Sequence, residues 1–296
     1  MSRADQPPLL WINLDRQSDR ARRMLWALHA GGWQHERIPA VDGCKRSEIL
    51  LSVTHPWRRG NRLPGIPRRL EAEPQRITSR AELACTASWL RALAKARILM
   101  DQSGAECALI TEDDVGASLA VVEHWPFSLA ALLEQLQGAS QLQQQPWTLL
   151  QLAPVSSSAR SKLNEIWVAS EGRQLIWPRQ AMASGGNGAV LVHRRAVERL
   201  TGGLQKLLRQ LTRSDHLIVH PWGVRPVADK WIYGSVPANS VYLCTFPLFC
   251  LDAGRSSIHQ DHVNAYHAPS KAITLEIWKQ HGMHNLLNAQ EQWDQC

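Results

Sequence analysis

Cys107-Ala108-Leu109-Ile110-Thr111-Glu112-Asp113-Asp114-Val115 sets an apolar run of strand length directly against three consecutive carboxylates. A run of this kind reads as a buried strand. Three adjacent carboxylates are costly there unless a cation, a basic partner or open water receives them. In an open α/β sheet, ligands bind outside the carboxyl ends of the strands, so carboxylates just past a buried strand face that crevice. A solvated acidic turn is the competing reading, and the triplet alone does not choose between the two.

The segments upstream repeat the pattern. Leu9-Leu10-Trp11-Ile12 is a short apolar run that passes through Asn13-Leu14-Asp15-Arg16 into a helix with Ser18 as its expected cap and Met24, Leu25 and Leu28 on one face. The loop after a first strand borders the ligand in a nucleotide-binding α/β unit, where Asn13 and Asp15 suit a base or ribose and Arg16 or Arg20 a phosphate. Capping of the helix accounts for them equally well. Ile38-Pro39-Ala40-Val41 reads as a second strand closing in the turn Asp42-Gly43. Ser79-Arg80-Ala81-Glu82 has the spacing of a capping box, and Leu83, Ala87, Leu90, Ala94 and Ile98 then recur at helical spacing before the central strand. Strand and helix alternate twice, which predicts parallel βαβ construction.

Downstream, Leu119 to Leu136 reads as a helix, Gln135 to Gln145 as a polar turn and Trp147 to Leu152 as a strand. Ser156 to Lys162 reads as a loop and Gln174 to Trp177 as a short strand. Ser184-Gly185-Gly186-Asn187-Gly188 precedes the strand Ala189 to Val192, the reverse of the strand, glycine, helix order of a Rossmann fingerprint or P-loop. The glycines serve either a tight turn or close backbone approach to a ligand. An amphipathic helix follows from Arg194 to Leu211, and Asp229 opens an apolar helical segment. Its candidate roles are helix cap, ion pair with Lys230, or general base. Ser235 to Thr245 is strand-like, and the tail histidines His259, His262, His267, His281 and His284 match no zinc spacing.

Composition bounds the function. The 296 residues carry a formal charge of +7, which favours anionic partners such as nucleotide-sugar phosphates or anionic lipid. Seven arginines between Trp57 and Arg80 alternate with prolines, which reads as an exposed loop suited to an anionic surface rather than as a nucleic-acid-binding helix. The six cysteines form no short-spaced pairs and read as reduced thiols of a cytoplasmic protein, and the arginine-rich segment would allow peripheral contact at the inner membrane face. No apolar run reaches the roughly 18 residues of a membrane span. The thirteen tryptophans are expected mostly in the core.

Several blocks, in order, resemble glycosyltransferase family 25, the lipopolysaccharide-biosynthesis and collagen galactosyltransferase group. They are Trp11 to Arg16 with Asp19-Arg20, Ala40 to Gly43, Glu82 with Cys85 and Ser88, and Ile110 to Val115; weaker matches run through Trp147 to Leu152, Ala189 to Arg195, Pro226 to Ile232 and Pro247. The chain departs from the family pattern at Ala84-Cys85, at Ser88-Trp89 and over Gly186 to Val190. The resemblance implies a GT-A type α/β fold, a mostly parallel twisted sheet flanked by helices, as one domain with a nucleotide-sugar half over 1–152 and an acceptor half over 153–296. It implies inverting transfer of a hexose, galactose by resemblance, from a UDP-sugar to a glycan or lipopolysaccharide acceptor. Mn²⁺ or Mg²⁺ would sit on Asp114, with Glu112 second; Glu112 or Asp113 would hold the ribose or a metal-bound water, and Asn13, Asp15 and Arg16 the nucleotide. Asp229 is the candidate base. The rival readings are a catalytically impaired nucleotide-sugar or anion-binding relative and a metal-dependent phosphohydrolase, the latter expected to show a second metal cluster.

Overall fold

The structure, a computed structural model, describes residues 6–44, 80–182, 184–201, 227–252 and 263–296. The arginine-rich loop, the expected capping Ser79, the far part of the helix after Arg194, and His259 and His262 lie outside the described residues.

The strands are β1 (Leu9–Asn13), β2 (His35–Pro39), β3 (Cys107–Glu112), β4 (Leu149–Gln151), β5 (Ile176–Pro178), β6 (Ala189–His193) and β7 (Val241–Cys244). They form one sheet in the order β2-β1-β3-β6-β4-β7-β5. β1 pairs in parallel with β2 and β3, and β4 in parallel with β7, whereas β6 runs antiparallel to both β3 and β4, and β5 antiparallel to β7. The sheet is therefore mixed, not mostly parallel in its pairings. No local pattern in Ala189-Val190-Leu191-Val192 distinguishes a reversed central strand, because a strand buried on both faces is apolar in either direction.

The pleat sorts side chains to two cores. Leu9, Trp11 and Leu109 face one layer with α1 (Ser18–Ala30), α3 (Leu129–Leu142) and two C-terminal helices, Ala268–Gln280 and His284–Gln295. Leu10, Ile12, Ala108 and Ile110 face the other, with α2 (Arg80–Ser103), the helix over 194–201 and a short helix, Ala228–Gly234. Trp11, Trp33, Trp89, Trp125, Trp147, Trp231, Trp278 and Trp293 are all buried, as the composition suggested.

Several expected bounds shift for local reasons. Gln17, not Ser18, caps α1, and no side chain satisfies its N-terminus. The single helix expected from Leu119 to Leu136 is a 3₁₀ segment, Ala117–His124, kinked at Val121, followed by α3. Pro126 lacks the N–H needed to continue, and the Ser128 hydroxyl accepts from the Ala131 N–H to restart the helix. The expected glutamine turn is largely the end of α3. The expected serine loop is α4 (Ser157–Ala169), capped by Ser156. Serines signal turns and N-caps alike, and here the second use prevails. No helix among the described residues is long and apolar enough to cross a membrane.

Candidate functional site

The reversal of β6 has a direct consequence for the site. Segments leaving β1, β3 and β4 and the glycine segment entering β6 all reach the same edge of the sheet. A cavity of about 870 Å³ opens there, bordered by Asn13, Arg16, the three carboxylates, Ser184 to Gly188, Asp229 and His267. The glycines that had the wrong order for a phosphate loop thus reach this cavity from the opposite strand direction.

Asn13 and Asp113 stitch the first two strand ends together. Asn13 Nδ2 donates to Asp113 Oδ2 at 2.6 Å and to the Gln17 carbonyl at 3.2 Å. Its Oδ1 accepts from Arg37 Nε at 3.0 Å. Arg20 Nη1 donates to Asp113 Oδ1 at 3.0 Å, a pair buried on both sides. Burial opposes the charge on Arg20, but Asp114 and Asp113 more than offset it and hold its pKa above the usual value. Both oxygens of Asp113 are thus occupied by protein donors. Asp15 pairs with Arg37 at 2.5 Å and does not border the cavity, whereas Arg16, half exposed and paired with Asp42 at 3.1 Å, does.

Glu112 is held from α2. Its Oε1 accepts from Trp89 Nε1 at 2.8 Å and from Cys85 Sγ at 3.8 Å. Burial, with repulsion from Asp114 added, pushes its carboxyl up to about 8 despite the Trp89 donation. Burial and then Glu112 and Asp229 push the Cys85 thiol well above its usual value, so Cys85 senses both carboxylates.

Asp114 differs from its neighbours. Its backbone carbonyl accepts from the Asp252 N–H at 2.8 Å, but its buried Oδ1 has no hydrogen-bond partner among the described residues. Burial raises its pKa, partly opposed by Arg20 and His267 and aided by Asp113 and Asp252. Asp114 also lines the cavity, where a hard cation would find in its carboxylate a suitable oxygen ligand. Among the described residues no three His, Cys, Asp or Glu side chains gather into a metal-binding group. A cation at this edge would have at most one or two carboxylates of this chain as ligands, with water and a ligand's phosphates left to complete its shell.

Asp229 is the second residue of the helix Ala228–Gly234, whose cap position is Val227. Its Oδ1 accepts the Lys230 N–H at 2.7 Å and its Oδ2 the Gly186 N–H at 3.2 Å. The carboxylate borders the cavity together with Asp114, although 115 positions separate them in the chain (229 − 114). Asn187 Nδ2, in the same rim, is buried without a hydrogen-bond partner among the described residues. Asn187 lies in the glycine segment that the sequence singles out, but nothing in the sequence pattern points to Gln151, Arg179 and Tyr233 behind the glycines, because a single buried polar residue has no periodicity.

No known family model matches this chain, and no curated protein matches it.

Proposed function

We propose that the protein is a metal-dependent glycosyltransferase with a GT-A type fold, moving a hexose from a UDP-sugar to a glycan or lipopolysaccharide acceptor with inversion. The observation that carries the reading is the Asp114 carboxylate, buried with an unpartnered oxygen beside a cavity that also holds Asp229. The mixed sheet with acidic residues at its carboxyl edge, the family resemblance and the net positive charge support it.

Asp114 would hold Mn²⁺ or Mg²⁺, with Glu112 as second ligand once ionised, and the cation supplies neutralisation of the departing diphosphate's charge. Arg20 and Asn13 keep Asp113 paired, which ties the acidic turn after β3 to α1 and to the end of β1. Arg16 is the side chain suited to the donor phosphates or ribose. Asp229 takes the proton of the acceptor hydroxyl as that oxygen bonds to the anomeric carbon and the bond to the diphosphate breaks. Galactose follows from the resemblance, and the arginine-rich loop suits peripheral contact of a cytoplasmic enzyme with anionic membrane.

A second reading, a nucleotide-sugar-binding relative without turnover, draws on one observation: protein donors already hold Asp113 and the Glu112 Oε1. A thermal-shift series of UDP-sugars with and without Mn²⁺, followed by mass analysis of glycan acceptors, tests both. Stabilisation that needs sugar nucleotide and Mn²⁺ together, with a mass gain of one hexose, is the expected result. Stabilisation without transfer selects the second reading, and no joint stabilisation removes both.

A further inference from the structure

Buried polar side chains are stabilising only when their donors and acceptors are met. Gln151 ends β4 with no solvent exposure, and its amide is used on both sides. Nε2 donates to the carbonyls of Gly185 at 2.9 Å and Gly186 at 2.5 Å, while Oε1 accepts from Arg179 Nε at 3.1 Å. Arg179 Nη2 donates to the Ser184 carbonyl at 2.7 Å, and its guanidinium lies 4.0 Å from the Tyr233 ring centre. Tyr233 Oη then donates to the Gly186 carbonyl at 3.2 Å.

Gly186 is the point of convergence. Asp229 and Tyr233, four residues apart, share a face of one helix. They hold the two ends of this residue, Asp229 accepting its N–H and Tyr233 donating to its carbonyl. Gly186 has φ +94°, and an added Cβ would stand 3.1 Å from Val155 Cβ and 3.2 Å from the Ala153 carbonyl. With this φ and these neighbours, a side chain at this position would be strained.

We propose that Gln151, Arg179 and Tyr233 are positioning residues for Asp229: they immobilise Gly186, and its N–H fixes the orientation of the carboxylate that receives the acceptor proton. The inference rests on the transferase reading for the word acceptor, but the orientation of Asp229 does not. Only an amide serves at Gln151, since a carboxylate there would face two carbonyl oxygens and a methionine would bond to none of them. Misplacement of a reacting group by about 1 Å costs up to roughly 10²-fold in rate.

The test uses Tyr233→Phe, which keeps the ring beneath Arg179, and Gln151→Met. Amide hydrogen exchange is followed by NMR at Gly186 and at the sheet residue Leu191, with UDP-galactose turnover measured in parallel. Both variants are expected to speed Gly186 exchange at least tenfold with Leu191 unchanged, and to lower kcat tenfold or more while the donor KM stays within about twofold. Unchanged Gly186 exchange overturns the inference, as does faster exchange with undiminished kcat. If the wild-type protein transfers no hexose, the exchange result still decides the positioning of Asp229, and the transferase reading alone falls.

Discussion

Replacing Asp114 by Ala should make the ligand-free protein more stable while abolishing its response to donor and metal. The carboxylate is buried with an unpartnered oxygen, and such an acceptor costs about 1–3 kcal/mol. Its removal also ends the repulsion from Asp113 and Asp252, and forfeits the attraction of Arg20 and His267. The raised pKa gives the sign of the sum: burial dominates, so the ionised form opposes folding. The stability that the group contributes is fully present below its unfolded value near 3.8 and is lost as pH rises through the raised folded value. At pH 7 the metal-free variant should therefore exceed wild type by about 1 kcal/mol, or ~2–4 °C in Tm. The advantage should fade on acidification. With Mn²⁺ and UDP-sugar at roughly a hundred times Kd, wild type gains about 2.7 kcal/mol and the variant gains nothing, so the ranking reverses. Thermal melts in chelator and in the ligand mixture provide both comparisons. A metal-free variant less stable than wild type, or one that keeps the joint ligand response, would refute the reasoning.

Three further outcomes follow from the same geometry. Asp229→Asn should lower turnover about 10²–10⁴-fold with near-normal donor binding, measured by initial rates and calorimetry; normal turnover would assign proton removal elsewhere. Glu112→Gln should flatten the stability of the metal-free protein against pH. Glu112 is pushed up to about 8, so the stability it contributes is present below about 4.5 and lost as pH rises through about 8, and urea unfolding at intervals across that window would show the slope. Trp89→Phe removes the indole donor to Glu112, with an expected cost of about 1–3 kcal/mol in urea unfolding. A neutral result there would mean that Glu112 is satisfied by other means.

The chain alone was sufficient for the α/β class, for β1 and β3, and for the acidic turn at a strand end, because strand-length apolar runs and helical spacing are local physical signals. It also pointed to Asn13, Arg16, Asp114 and Asp229 as candidates, and the fold brings all four to one cavity. The reversed direction of β6, the kink before Pro126 and the helix within the serine segment were decided by packing and capping, which short sequence windows leave open. Above all, the division of labour inside Glu112-Asp113-Asp114 is tertiary. Trp89 from α2 binds Glu112, Arg20 and Asn13 bind Asp113, and of the three only Asp114 keeps a buried oxygen without a hydrogen-bond partner among the described residues. Three chemically near-identical carboxylates look alike along the chain. They become different only when helices distant in sequence bring donors to two of them, because hydrogen bonds and burial depend on neighbours in space.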